Sequence, residues 1–274
     1  MASGSLTDLA YPASGKSSSW RHRAVYSFDL TWHLVQRDFY LRYTGSTFGV
    51  LWSVLLPLAQ LLVFTFLFQR VVPLKIEAYP AYVFSGLLPW TWFSSCLNSA
   101  SGLFFTNRDL LRRPNFTPAL LIVVNTLSNL LSYIASLPVL FGLLFFYGKS
   151  VSSVLFILPL LLLIQSLLII GLGLIIATCN VFYRDVQHII SVVTSLLFYL
   201  TPVFYRPDAV ATSYRILLIA NPMAALVNGY RAVMFYGVAP EWELLGLAGL
   251  ISAAVCGLGY FVYHSQQHHV IDAL

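Results

Sequence analysis

The sequence predicts an all-α integral membrane protein: six transmembrane helices, an N-terminal amphipathic interface helix before them, and a re-entrant helical hairpin between spans five and six. Three observations predict it. Only 9% of the residues are charged, against about 25% in a soluble domain. Apolar residues make up 58% of the chain and fall in runs near or above the ~20 needed to cross a bilayer as helix. Those runs contain no Lys, Arg, Asp or Glu, so nothing in them resists burial in lipid.

Residues 1–20 are small and polar, with Ser3, Gly4 and Ser17 to Ser19 among them. They hold no apolar core of signal-peptide length and read as a flexible cytoplasmic tail. In 21–42, Val25, Phe28, Trp32, Val35 and Phe39 recur at steps of three and four, with Asp29, His33, Gln36 and Arg37 between them. Such a stripe is too charged to cross lipid and fits a helix lying in the interface; the alternative is a plain soluble core helix. The six spans are expected at 47–69, 81–105, 118–147, 151–178, 186–205 and 244–264. They make 43–264 one transmembrane domain and leave 265–274 as a second tail. Backbone groups in lipid must bond internally, so each span is a helix.

The stretch 202–243 is too long for a turn and too apolar for a solvated loop. Asn221 suits an N-cap, Pro222 the first helical position and Gly237 a C-terminal cap. The 15 residues between the caps make about 22 Å of helix, too short to span. A second short helix is expected over 208–220. The pair reads as a gate region, 202–237, dipping into the outer leaflet and returning, which backbone tolerates only where protein or a water-filled cavity covers it. The alternative is an amphipathic loop on the outer surface.

Six spans put both termini on one side. Nine basic residues fall there: Lys16, Arg21, Arg23, Arg37, Arg42, Arg108, Arg112, Arg113 and Arg184. Six fall opposite: Arg70, Lys75, Lys149, Arg206, Arg215 and Arg231. The positive-inside rule then places the termini in the cytoplasm.

Several chemistries are disfavoured. The net charge of +5 sits at the ends of apolar runs, where topology and headgroups account for it, rather than in a nucleic-acid patch. Cys96, Cys179 and Cys256 are odd in number and far apart, so neither a disulfide framework nor a metal site is expected. His264, His268 and His269 have only Asp272 nearby and read as a solvated tail. No GxxxxGK[ST] loop is present, and Gly171-Leu172-Gly173 lies inside a span, where glycines serve close helix packing. The span cores lack the acids and bases of an ion-driven carrier. They hold Gln60, Asn98, Asn125, Asn129, Gln165 and Ser166, whose default role is helix-to-helix bonding. A pathway or scaffold energised by a partner remains.

Specific motifs narrow this. Arg37-Asp38-Phe39-Tyr40-Leu41-Arg42-Tyr43-Thr44-Gly45-Ser46, then Phe48-Gly49-Val50-Leu51-Trp52 and Pro57, resembles the approach to the first span of polysaccharide-export permeases. These are the ABC type 2 membrane subunits of O-antigen, capsule and teichoic acid exporters. Ser85-Gly86-Leu87-Leu88-Pro89-Trp90, Asn107-Arg108-Asp109-Leu110-Leu111-Arg112-Arg113-Pro114, Phe182-Tyr183-Arg184-Asp185-Val186, Thr201-Pro202-Val203 and Asn221-Pro222-Met223 continue the match in order. The resemblance covers about residues 25–264 and is closest to O-antigen exporters. It disfavours a drug or lipid exporter; a non-transporting membrane scaffold is the reading from another class.

The resemblance implies a non-catalytic permease in the cytoplasmic (inner) membrane of a bacterium. It implies a homodimer with two copies of an ABC ATPase subunit, which binds the ATP and Mg that this chain does not, and a lipid-linked polysaccharide as substrate. Arg108, Asp109, Arg112 and Arg113 fall where the family places its ATPase-coupling helix. Trp32, Arg37, Asp38, Arg42, Tyr43 and Trp52 fall at the interface helix and the mouth of the first span, with Arg37 and Arg42 expected to attract the pyrophosphate head. Arg184 and Asp185 fall in the cytoplasmic loop before span five. Rings can stack on sugar faces while Asn, Ser and Tyr bond hydroxyls. Phe198, Tyr199, Pro202, Phe204, Tyr205, Asn221, Pro222 and Tyr230 are therefore candidates for channel and gate. For the aromatic members an interfacial belt, which Tyr79, Tyr82, Trp90 and Trp92 also fit, is the alternative.

Overall fold

The computed structural model describes residues 20–72, 74–111, 116–150 and 152–273. Residues 1–19 of the expected N-terminal tail and Arg112 and Arg113, expected to couple to the ATPase, lie outside them, as do the side chains of Val25, Phe28 and Tyr43.

Every regular element among the described residues is helical. Helix α1 is Trp20–Tyr43. Its apolar contact is made by Leu34 and Val35 against Val124, with Leu30, Leu120 and Leu127 around them. Leu30 and Leu34 are one turn apart and share a face with Val35. Trp32 stands about 200° from Leu34 at 100° per residue and is 46% exposed. The side of the expected stripe that packs is therefore only part of it.

A short 3-10 turn leads into α2, Trp52–Phe66, which a π-helical turn at Leu67–Val71 prolongs. Next come α3, Tyr79–Thr106, α4, Arg108–Leu111, and α5, Ala119–Phe146. Then follow α6, Leu158–Phe182, and α7, Val186–Leu200. Helices α8, Arg215–Ala220, and α9, Pro222–Arg231, precede the long α10, Trp242–Ala273. Helix α10 continues well past the expected end of span six.

Helix α3 is the hub and packs on α2, α5, α6, α7 and α9. Its residues Tyr79 to Trp90 are all buried. Helices α6 and α10 cross backbone to backbone. A Cβ on Gly171 would lie 2.6 Å from the Cys256 backbone, and one on Gly259 would meet the Gly171 carbonyl. Small residues thus set that approach. Inside the bundle, uncharged polar groups bond between helices. Asn98 Nδ2 donates to Thr194 Oγ1 at 3.2 Å, Gln165 Nε2 to the Pro89 carbonyl at 2.8 Å, and Asn180 Nδ2 to the Ser101 carbonyl at 2.6 Å.

The bundle is an all-α, multi-span membrane fold, but among the described residues four helical stretches rather than six are long and apolar enough to cross a bilayer. They are Gly49–Val71, Ala119–Phe146, Ser153–Phe182 and Trp242–Gln267. Two expected spans fall short for different reasons. Helix α3 has 28 residues, about 42 Å, yet its Ser, Thr, Asn, Pro and Tyr content dilutes its apolarity. Helix α7 has 15 residues, about 22 Å, because Thr201-Pro202 ends it five residues before the expected boundary.

Between α7 and α10 the helix expected over 208–220 is reduced. Single 3-10 turns occupy Pro207–Ala209 and Thr212–Tyr214, and only Arg215–Ala220 is α-helical. The second segment follows its caps. Asn221 Oδ1 accepts from Met223 N at 3.0 Å, and Pro222 opens α9. A π-helical turn at Ala232–Tyr236 follows, and Gly237 closes it at φ 66°, a conformation glycine takes without a Cβ penalty.

Candidate functional site

The candidate residues gather at the two ends of the bundle. At the end holding α4 and the start of α7, α1 is tied down by side chains. Arg37 Nη2 donates to Asn107 Oδ1 at 3.1 Å. Arg42 spreads its guanidinium over three partners: Asp38 at 2.9 Å, Asn129 Oδ1 at 2.6 Å and Asn125 Oδ1 at 3.1 Å. Ser99 also donates to Asn125 Oδ1 at 2.7 Å, so the network runs from α1 through α5 to α3. Arg42 thus anchors α1 to α5 through its guanidinium. Arg108 and Arg184 both lie against the Phe105 ring, at 5.1 and 5.8 Å from its centroid. The end of α3, α4 and the loop before α7 therefore share one cation–π cluster. Asp109 sits in the first turn of α4, and Asp185 at the N-cap position of α7 without a side-chain capping bond. Trp52 stacks edge-on with Phe48 at 5.6 Å and stays 41% exposed.

At the opposite end, Phe198 and Phe204 belong to an aromatic cluster with Phe64, Phe68 and Trp90. Phe204 stacks on Phe64 at 5.7 Å and on Phe68 at 5.4 Å, and Phe198 lies 5.7 Å from Trp90. Phe198 and Tyr230 are buried within the single chain, Tyr205 is half-buried, and Tyr199 is 64% exposed. Asn221 Nδ2 donates to Thr201 Oγ1 at 2.9 Å, which joins the N-cap of α9 to the end of α7.

The residue at the centre of this end is one that sequence reasoning counted only as a topological charge. Arg231 is fully buried and has no carboxylate partner among the described residues. Its Nη1 donates to the Pro202 carbonyl at 3.0 Å and its Nη2 to the Val203 carbonyl at 2.9 Å. The guanidinium lies 3.9 Å over the Tyr82 ring. Tyr79 and Tyr82 add bonds from their hydroxyls to the Phe204 and Tyr205 carbonyls, at 3.1 and 3.0 Å. Four consecutive carbonyls after α7, in a segment where Pro202 interrupts helical bonding, are thus satisfied by side chains of α3 and α9. Arg231 follows Val227 by four residues and so shares the buried face of α9. Nearby, Arg206 pairs with Asp208 at 3.0 and 2.7 Å. That bond holds the Arg206 pKa above its usual value.

No group of three or more His, Cys, Asp or Glu able to hold a metal occurs among the described residues. What the arrangement offers is a set of joints: cationic and stacking contacts at one end, carbonyl clamps at the other, and polar cross-links between. That is the construction of a multi-span helical membrane protein.

Comparison with known proteins agrees. Residues 29–235 match the family model described as ABC-2 type transporter, and the chain belongs to that family. It is similar to the O-antigen export system permease protein RfbA of Myxococcus xanthus, 32% identical over 243 residues, covering 88% of this chain and 94% of that protein. RfbA of Klebsiella pneumoniae is 26% identical over 259 residues, 94% of this chain and 100% of that protein. The polysialic acid transport protein KpsM of Escherichia coli is 24% identical over 247 residues, 88% and 94% of the two chains.

Proposed function

We propose that this chain is the membrane-spanning subunit of an ABC exporter that carries a lipid-linked, O-antigen-like polysaccharide from the cytoplasm to the outer face of the inner membrane. A separate ATPase subunit drives it. The observation that carries the reading is end-to-end similarity to permeases named for O-antigen export. The more distant similarity to a polysialic acid transport protein favours a capsule polymer as second reading.

Six crossings fit this role better than four. Helices α2, α3, α5, α6, α7 and α10 run alternately between the same two ends of the bundle, as the contacts Arg184–Phe105 at one and Phe198–Trp90 at the other support. Helix α3 is sheathed by its neighbours, so its polar content meets protein rather than lipid. The short α7 is extended by the clamped segment 201–205. Both termini then lie in the cytoplasm with α4, and 202–237 is a re-entrant gate at the outer mouth. Two copies enclose the channel, since one bundle is too small to surround a hydrated glycan. In this scheme Arg108, Asp109, Arg112 and Arg113 dock on the ATPase. Its closure is passed through Phe105 and Arg184 to α7, and Arg37 and Arg42 hold the interface helix to the moving bundle. Tyr199 is the ring best placed to meet a passing sugar.

The experiment is co-purification with the cognate ATPase, followed by measurement of ATP turnover and glycan export for the wild type and for Arg112→Glu/Arg113→Glu. The expected result is a stoichiometric complex whose export the double variant abolishes while the bundle still folds. Unaltered export in that variant overturns the docking assignment, and absence of any complex favours a scaffold.

A further inference from the structure

A cavity of about 810 Å³ opens between the 206–208 loop, helices α8 and α9, and the start of α10. It lies within the size range of small-ligand sites, and most of its wall comes from the segment 202–237 proposed as the gate. Its polar lining carries both signs of charge. Arg206, Arg215 and Arg231 contribute guanidinium groups, and Asp208, Glu241 and Glu243 contribute carboxylates. Of these lining groups Arg206 and Asp208 pair with each other, and Arg215, Glu241 and Glu243 take part in none of the three ion pairs found among the described residues. Arg231, buried at the back, keeps an Nε without an acceptor. Unpaired charges of opposite sign around one cavity suit a ligand that brings a charge for each.

The remaining wall is apolar: Leu218 and Ile219 from α8, Leu244 and Leu245 from α10. Ile216 and Leu217 of α8 are exposed, as expected of a short helix lying against acyl chains. Helix α10, which forms one side of the cavity, packs on α6 and α9. A neutral glycan brings no charge for the guanidinium and carboxylate groups of the rim to meet. A purely anionic lipid would be repelled by Glu241 and Glu243.

We propose that this cavity binds the headgroup of a zwitterionic aminophospholipid, phosphatidylethanolamine in chemical class. The phosphate is held by Arg215 with Arg231 behind it, the primary ammonium by Glu241 and Glu243, and the glycerol and proximal acyl carbons by the leucine and isoleucine wall. A quaternary ammonium has no N–H to donate, so phosphatidylcholine lacks half of the recognition.

The test is native mass spectrometry of the detergent-purified permease–ATPase complex titrated separately with phosphatidylethanolamine, phosphatidylcholine and phosphatidylglycerol. Phosphatidylethanolamine is expected to bind roughly tenfold tighter than either other lipid. Arg215→Ala and the double change Glu241→Gln/Glu243→Gln are each expected to bring it down to the phosphatidylcholine level. These positions are exposed, and the two variants test the two halves of the site separately. Equal binding of the three lipids, tighter binding of phosphatidylglycerol, unchanged affinity in both variants, or displacement of phosphatidylethanolamine by a neutral oligosaccharide each overturns the assignment. None of these readouts depends on transport, so the proposed export activity stands or falls apart from it.

Discussion

Two arginines tie outlying segments to this bundle, one at each end, under opposite conditions. Arg42 keeps its side chain 29% exposed and pairs with a carboxylate one turn away, adding two asparagine amides. Arg231 is 2% exposed, has no carboxylate, and gives its charge to two backbone carbonyls and a tyrosine ring. The first is a graded joint that water and Asp38 share. The second is an all-or-none clamp, because a buried cation without its acceptors, or those carbonyls without their donor, is costly. The difference matches the roles proposed for the two ends: α1 follows a moving partner, whereas the segment after α7 must stay sealed until the helices around it rearrange.

The largest effect is expected from Arg231→Ala. Two buried carbonyls lose donors at about 1–3 kcal/mol each. Thermal unfolding of the purified protein should show a loss of roughly 2–5 kcal/mol, with export lost as well. Arg231→Met as stable as wild type would break the comparison, since it would make the charge dispensable. Arg42→Ala comes next, at about 1–2 kcal/mol once solvent exposure is allowed for. Arg42→Lys should recover part of it, because a single ammonium reaches fewer of the three acceptors.

Gly86→Ala sharpens the picture of the clamp. A Cβ there would lie 2.7 Å from Arg231 Nη2 and 3.0 Å from Val227, and the pinned guanidinium cannot move aside without leaving its carbonyls. A cost of about 1–2 kcal/mol is expected. It should shrink in the double variant with Arg231→Ala, as a double-mutant cycle will report. Smallest of all is Arg206→Ala, which removes a solvent-exposed pair with Asp208. No measurable change in unfolding temperature is expected.

The same contrast explains what could be read from the sequence. Local chemistry was legible: Asn221-Pro222 and Gly237 mark the limits of the α9 segment, and Gly171 marks a close helix crossing. Each works through its own backbone or its missing side chain. The motifs from Arg37 to Met223 also placed the chain in its family. Less legible was anything decided by neighbours. Tyr79 and Tyr82 fit an aromatic belt by composition, yet both are buried with their hydroxyls on carbonyls 123 and 125 residues away. Arg231 counted as an outward charge because nothing local says that α3 and the 202–203 carbonyls will enclose it. Helix α3 fits a lipid-facing span by length, while its polar groups make sense only inside a ring of other helices. The bonds of Arg42 to asparagines of a helix more than 80 positions later were likewise set by neighbours.

The central claim is that this bundle moves a glycan only when a partner supplies the energy. Reconstitution in sealed vesicles with lipid-linked polysaccharide, with and without the cognate ATPase, tests it most directly. ATP-dependent appearance of glycan on the far side should require both proteins and vanish with Arg112→Glu/Arg113→Glu. Glycan crossing with this chain alone, under ATP or an imposed proton gradient, would contradict it.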